Sequence, residues 1–472
     1  MSATSPAGKE LLRQLPSVTQ LLDSAGVRQW FQEHPRELVV RCCRDALEQV
    51  RQEILADQAG RCGAAHTSVE YLLGLAQRNL EELSQPRVRC AINATGIILH
   101  TGLGRAVWPA SVVDSVLADL KGYVTLAVDR AGGQRRDRDR QVEHLLTELT
   151  GAEAATVVNN NAAATVLVLA GLAAGREVVV SRGQLIEIGG SFRLPEIMAL
   201  SGARMVEVGT TNRTHLGDYE QAITGQTACL LRVHPSNYRI VGFAAQPELS
   251  ELAELAHARG VPLVDDLGAG ALVGLEQFGL PHEPMVQESI AAGADVALFS
   301  ADKLIGASQG GIIVGRKDLI DRLRKHPLAR AVRIDKSCLM VLERTLMLFR
   351  DPLRLPQTHP TYRMLATPID RLQVRAEALA AAIRQAAPAA QADVAEGEGF
   401  LGSGSLPQQA LPDRLVVVQA ANLDAAELAR RLREDAACVF GRVVQDRCVL
   451  NVRTITDEQA PLIAQAIGRA IA

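Results

Sequence analysis

The sequence predicts an α/β protein with a mostly parallel central sheet, preceded by a helical segment and followed by a small α/β segment. Three observations carry this. From Val88 onward, short apolar runs (AATVVN, EVVVS, RMVEVG, ACLLRVH, VPLVDD, ADVALFS and GIIVG) alternate with helical stretches such as NAAATVLVLAGLA, FRLPEIMALSG and LSELAELAHARG. That alternation is how strands joined through helices read. The runs are also nearly continuous in apolar residues, as strands covered on both faces must be. Up to about residue 85, by contrast, apolar residues fall at helical spacing.

The helical segment is expected to hold about three helices. VTQLLDSAGVRQWFQEHPRELVVRCCRDALEQVRQEILA is broken once, at His34-Pro35, because proline cannot continue a helix. TSVEYLLGLAQRNLEELS opens with Thr67 as an N-cap and Glu70 three residues on, a capping box, and ends at Gln85-Pro86. Beyond the sheet, DLIDRLRKHPLARAVRIDKSCLMVLERTLMLF reads as a long helical pattern. From about Tyr362 come an alanine-rich helix, the strand LVVVQA, another helix, and the strands CVFGRVV and RCVLNVR, a small α/β sandwich. EGEGFLGSGSLPQQALPD is expected to be a loop from its glycines and prolines. The expected domains are therefore 1–85, 86–350 and 351–472.

Composition narrows the function. At 472 residues the chain can bury a large core, and 47% hydrophobic with 22% charged residues is ordinary for a globular protein. A net charge of −3 and 3% aromatics argue against a wholesale nucleic-acid binder built on base stacking. The 8 cysteines show neither CxxC pairs nor zinc-ligand spacing, so no metal site is expected and a reducing cytoplasm is. MSATSPAGKE lacks the layout of a signal peptide, and AAATVLVLAGLAAG is too short to span a bilayer.

Chemistry concentrates at three strand ends. NNNAAATV (Asn159 to Val166) follows one strand and opens a helix, whose free N–H groups can hold a phosphate. VPLVDDLGAG places Asp265 and Asp266 at the carboxyl end of another, as a helix cap or as the partner of a cationic ring nitrogen. SADKLIGASQGGIIVG places Lys303 at a third, as an exposed turn residue or an amine held for Schiff-base chemistry. Phosphate turn, aspartate, then lysine 38 positions after Asp265 is the layout of a pyridoxal-phosphate enzyme of the aspartate-aminotransferase-like fold (fold type I). The lysine would hold the aldehyde, the aspartate would keep the pyridine nitrogen protonated, and the turn would hold the phosphate.

The chain also resembles the bacterial L-seryl-tRNA(Sec) selenium transferases, or selenocysteine synthases. The matching stretches are INATGIILHTGLGRA, NNNAAAT, SRGQLIEIGGSFRLPEIM, RVHPSNYRIVGF, VDDLGAG, SADKLIGASQGGIIVG and PLARAVRIDKSCLMVLERTL, spread essentially over the whole chain. The resemblance implies conversion of seryl-tRNA(Sec) to selenocysteinyl-tRNA(Sec) with selenophosphate. Serine's amine would displace Lys303, the freed lysine would remove the α-proton, and water would leave to give an aminoacrylate to which selenium adds. It implies catalytic roles for Lys303, Asp302, Arg105, Arg330 and Arg333. Guanidinium forks suit the selenophosphate anion, and the spacing of Arg330 and Arg333 puts both on one face of a helix.

Cofactor contacts are expected from Lys303, Asp265, Asn160, Asn161, Ser300 and Asn237, with Ser236 as an alternative to Asn237 and Glu187 near the ring. Asp265 is preferred over Asp266 as the first carboxylate after the apolar run. DRAGGQRRDRDR (Asp129 to Arg140) is either a solvated loop with internal ion pairs or a loop meeting tRNA or a neighbouring subunit. The resemblance further implies a homo-oligomer, a ring of dimers making a decamer, and a tRNA-recognising N-terminal domain. Residues 1–89 carry as many acidic as basic side chains, so that recognition would rest on local arginines: Arg28, Arg36, Arg41, Arg44 and Arg51. Two rivals stand: a pyridoxal-phosphate lyase acting on a free small amino acid or sugar acid, which would not need the helical domain, and a non-catalytic tRNA-binding scaffold.

Overall fold

The computed structural model describes residues 6–57, 62–188 and 192–472; Gly189 to Ser191 of the SRGQLIEIGGSFRLPEIM stretch lie outside them. The chain divides into two compact units, Met1–Cys90 and Ala91–Ala472.

The first unit is helical, with five α-helices among the described residues rather than about three: Pro6–Gln14, Val18–Leu22, Ala25–Glu33, Arg36–Ala56 and Val69–Ser84. Its centre is Arg36–Ala56, which buries Val39, Cys42, Cys43, Ala46, Leu47, Val50 and Ile54, the three-and-four spacing of one apolar stripe. Ser17 supplies the capping box at Val18, which lets a five-residue helix form between its neighbours. The last helix is capped by Ser68, whose hydroxyl accepts from the Tyr71 N–H, and not by Thr67; Thr67 belongs to a preceding 3₁₀ turn. Arg28, Arg36, Arg41, Arg44 and Arg51 are all exposed, though Arg41 pairs with Asp45 at 3.5 Å and Arg51 with Glu48 at 2.5 Å.

The second unit is built on a seven-stranded sheet. Its strands are β1 (Ala154–Val158), β2 (Glu177–Ser181), β3 (Arg204–Val208), β4 (Thr227–Val233), β5 (Leu263–Gly268), β6 (Val296–Ser300) and β7 (Gly311–Gly315). They lie in the order β1-β7-β6-β5-β4-β2-β3. Only β7 runs antiparallel to its neighbours, β1 and β6; the remaining pairs are parallel. All seven expected runs form strands, and the sheet core is apolar on both faces, with Val178, Val179 and Val180 all fully buried. The expected long helical pattern after β7 is three helices, Lys317–Lys325, Pro327–Ala331 and Lys336–Leu348. Pro327 starts a new helix and Asp335 caps the next, its carboxylate accepting from the Ser337 and Cys338 N–H groups.

A second, antiparallel sheet joins β8 (Ala390–Gly402), β9 (Ser405–Ala420), β10 (Arg442–Val444) and β11 (Arg447–Asn451), in the order β8-β9-β11-β10. Helices Ile369–Ala386, Ala425–Glu434 and Ala460–Ile471 pack on it around a core of Leu379, Ile383, Val416, Leu450 and Ile467. The stretch expected to be a loop is instead the long β8–β9 hairpin, with only Ser403 and Gly404 between the strands. Its glycines do not prevent pairing because the partner supplies the ladder, and the Ile98 and Leu99 N–H groups donate to Phe400 and Leu401 across it.

Candidate active site

The carboxyl ends of β1, β2, β4, β5 and β6 open on one cavity of about 210 Å³, where ligands of doubly wound sheets bind. Asn160, Asn161 and Ala162 line it from the turn after β1, Ile186 and Ile188 from beyond β2, and His234 and Ser236 from beyond β4. Asp266 and Gly268 enter from β5, Ser300 and Lys303 from the end of β6, and Arg105 and Gln309 from loops.

Lys303 is 5% exposed. Burial, and then the neighbouring Arg105 charge, push its amine below the ordinary lysine range, against the opposing pull of Asp266, Asp302 and Glu283. An amine with an accessible free base is what carbonyl chemistry requires. Asp302 is held by Arg105, Nη1 to Oδ2 at 2.5 Å, and Arg105 itself sits in the left-handed region at φ 62°. Its Nε is buried without a hydrogen-bond partner among the described residues.

The two aspartates point to opposite faces of β5, because successive side chains in a strand alternate. Asp266 faces the cavity: Asn161 donates to its Oδ1 at 2.9 Å, Thr165 to its Oδ2 at 3.2 Å, and the Gly268 N–H to Oδ1 at 3.1 Å. Burial raises its carboxyl above the ordinary range, while those three donors work to lower it. Asp265 faces away, fully buried, taking bonds from Arg232 Nη1 at 2.9 and 3.1 Å and from the Ser289 hydroxyl. The preference for Asp265 is thereby corrected: counting from the end of the apolar run ignores which face each residue takes.

A similar correction applies to Asn237. Its amide donates to the Glu187 carbonyl at 2.7 Å and does not line the cavity, whereas Ser236 does, with a buried hydroxyl that has no partner among the described residues. A side chain on Gly268, at φ 67°, would meet that hydroxyl at 3.4 Å and Lys303 Nζ at 4.0 Å, so glycine keeps the space between them clear. Glu187 is exposed and pairs with Arg193 at 2.8 Å. Asn160 caps the helix Asn161–Ala173 by accepting from the Ala163 N–H at 2.8 Å, which leaves the first turn's N–H groups pointing at the cavity.

Arg330 and Arg333 are exposed and do not line the cavity. Nor do they share a helix face: the helix ends at Ala331, and Arg333 lies beyond it, bridged to Val158 at the end of β1. Arg138 joins them. Burial and then the charges of Arg333 and Arg330 depress its ionisation, and its Nη1 donates to the Ile334 carbonyl at 2.9 Å. Arg138 comes from DRAGGQRRDRDR, whose other charges divide. Asp139 binds Arg324 at 2.8 Å, Arg140 binds Glu143 at 2.8 Å, and Arg130, Arg135 and Arg136 stay exposed. Among the described residues no group of three or more His, Cys, Asp or Glu is placed to hold a metal ion, and no helix is long and apolar enough to cross a membrane.

These residues fit pyridoxal 5'-phosphate: a desolvated amine, a buried carboxylate for a ring nitrogen, an unpartnered hydroxyl, and a helix N-terminus with Ser300 beside it for a phosphate. Sequence reasoning named both aspartates but preferred Asp265 to Asp266, and it did not single out His234, Gln309 or Arg138. The two-residue alternation of β5 was the available signal for Asp266, whereas the others depend on loops packing together.

Comparison with known proteins agrees. A solved structure of D-glucosaminate-6-phosphate ammonia-lyase superposes with a TM-score of 0.57 at 22% identity, covering 83% of this chain and 97% of that one, and so shares the fold. Residues 12–51 match the family model described as selenocysteine synthase N terminal. A protein named L-seryl-tRNA(Sec) selenium transferase from Geotalea daltonii is 43% identical over 97% of this chain and 98% of its own. Its namesake from Nitratidesulfovibrio vulgaris is 44% identical over 98% and 99%. Residues 91–456 match the family model described as L-seryl-tRNA selenium transferase, and the chain belongs to that family.

Proposed function

We propose that the protein converts L-seryl-tRNA(Sec) to L-selenocysteinyl-tRNA(Sec), with pyridoxal phosphate as cofactor and selenophosphate as selenium donor. The observation that carries this is the desolvated Lys303 amine among Asp266, Ser236 and the Arg105–Asp302 pair, in a chain alike over nearly its full length to enzymes of that name.

Pyridoxal phosphate, when bound, supplies the electron sink for breaking bonds at the serine α- and β-carbons. Asp266 holds a proton on the ring nitrogen, the helix Asn161–Ala173 and Ser300 hold the phosphate, and Ser236 donates to the ring's oxygen. Lys303, kept largely as free amine by burial, takes the α-proton. Asp302, fixed by Arg105, stands beside it to assist loss of the β-hydroxyl as water. Arg105 offers its free Nε to an anion, and Arg138, Arg330 and Arg333 supply the positive field through which a trianionic donor arrives.

The N-terminal helical domain (1–85) would recognise tRNA through its exposed arginines, and the chain's other domains are the catalytic (86–350) and the small C-terminal (351–472) ones. Assembly as a ring of dimers, a decamer, and a cytoplasmic location complete the reading. A lyase acting on a free small amino acid is not favoured, because the relatives named for a tRNA substrate align through the N-terminal helices as well.

The test is absorbance. Purified protein should show a visible cofactor band that Lys303→Ala abolishes and that shifts with seryl-tRNA(Sec) but not with free serine. A response to free serine alone would indicate the small-molecule lyase, and the absence of any lysine-dependent band would overturn the assignment of Lys303.

A further inference from the structure

The cavity of Lys303 shares a wall with a larger one of about 570 Å³, lined by Arg239, Gln246 and Glu283 among others, and His234 and Ser236 belong to both. Glu283 sits at this junction. It is 3% exposed, accepts no hydrogen bond among the described residues, and lies 3.7 Å from His234, Oε1 to Nε2. His234 follows β4 directly, and its N–H donates to the Asp266 carbonyl at 2.9 Å, which ties the imidazole to the strand that carries the catalytic aspartate.

A buried carboxyl without donors keeps its proton, and a buried imidazole stays neutral. Burial pushes Glu283 up to about 7, against the pull of Lys303 and His282. Burial also pushes His234 down to about 4, with Arg232 and Lys303 acting in the same sense. The groups facing the pair are thus Lys303, His282 and Arg232, and Arg232 is itself neutralised by Asp265. Loss of a hydroxyl as water needs a proton at the departing oxygen, and a donor works best when its pKa lies near the working pH.

We propose that Glu283 is a positioning residue for proton delivery, holding the proton that reaches the substrate's departing hydroxyl through His234. The inference rests on the selenium-transfer reading above. The Glu283 O–H bond breaks as a water spanning the 3.7 Å gap takes that proton and passes one of its own to His234 Nε2. The imidazole's other N–H bond breaks as the departing oxygen gains one, and the C–O bonding pair leaves with that oxygen as water. Glu283 is left as a carboxylate, opposite the Lys303 cation formed by removal of the α-proton. A proton taken up from solvent at the imidazole's other nitrogen lets Nε2 give its own back to Glu283, which resets both groups.

Two measurements test this. In cofactor-free protein, infrared difference spectra should show a protonated-carboxyl band lost as pH rises through about 7. The band should be absent from Glu283→Gln and its titration shifted in His234→Gln. In loaded enzyme, the single-turnover rate on seryl-tRNA should fall as pH rises through the same range. Glu283→Gln should lower that rate about 100-fold, remove the limb near neutrality, and leave the cofactor band and KM within about twofold. A limb that persists in Glu283→Gln, an unchanged rate, or a wild type without the titrating band each overturns the proposal. Should Glu283→Gln not fold, the infrared titration of wild type and His234→Gln still decides. A wild type that binds cofactor but leaves seryl-tRNA untouched would sink the functional reading instead, with the infrared result judged separately.

Discussion

Replacing Asp265 and Asp266 one at a time separates two tasks that the sequence sets side by side. Asp265→Asn removes the carboxylate that takes two bonds from Arg232 and one from Ser289. Breaking a buried pair by removing one partner costs about 3–5 kcal/mol, because the other charge stays behind. Arg232 keeps 20% of its side chain exposed while Asp265 has none, so the guanidinium finds some water and the lower end, about 3 kcal/mol, is expected. That is a factor of about 150 in an opening equilibrium. Hydrogen exchange of the β4 and β5 amides should accelerate by about 100-fold, with the cofactor band retained.

Asp266→Asn should do the reverse. Burial raises the Asp266 carboxyl, so its charge costs the cofactor-free fold stability once pH exceeds the ordinary carboxylate range, and an amide avoids that cost. The variant should be at least as stable as wild type at neutral pH. The gain should disappear in acid, where the carboxyl is neutral in both folded and unfolded chains, and cofactor retention should be lost. An Asp265→Asn protein that loses cofactor with amide protection intact, or an Asp266→Asn protein that binds it normally, would refute the reasoning.

Three further substitutions have expected outcomes. Gly311→Ala drives a methyl into the Asn160 carbonyl oxygen and to 2.9 Å from the Asn161 nitrogen, so the Asn160–Asn161 turn must shift. Unfolding by denaturant should report a loss of about 1–3 kcal/mol, and equilibrium dialysis a weaker hold on the cofactor. Ser236→Ala removes a buried hydroxyl that has no partner among the described residues, so cofactor-free stability should hold or rise by about 1 kcal/mol while cofactor affinity falls. Asn237→Ala, which loses its bond to the Glu187 carbonyl, should leave affinity nearer wild type by the same dialysis.

The sequence by itself determined the architecture and the chemistry. Continuous apolar runs such as EVVVS specify buried parallel strands, because only a strand covered on both faces tolerates them, and residues at strand ends inherit the site that this fold provides. Lys303, Ser300 and the Asn160–Asn161 turn line the cavity for that reason, whereas Arg105, on a loop, was named only by the family resemblance. Tertiary structure decided which neighbour faces the cavity. Asp265 and Asp266 are equivalent as letters, and only the pleat of β5 with Arg232 beside it gives one the ion pair and the other the cavity. It also decided that EGEGFLGSGSLPQQALPD is a hairpin, since a partner strand supplies the hydrogen bonds that local propensity did not promise. His234 and Glu283, 49 positions apart, meet only because a loop after β5 folds back over the end of β4. Contacts of that kind are set by how loops close over a sheet, and no local pattern of residues records them.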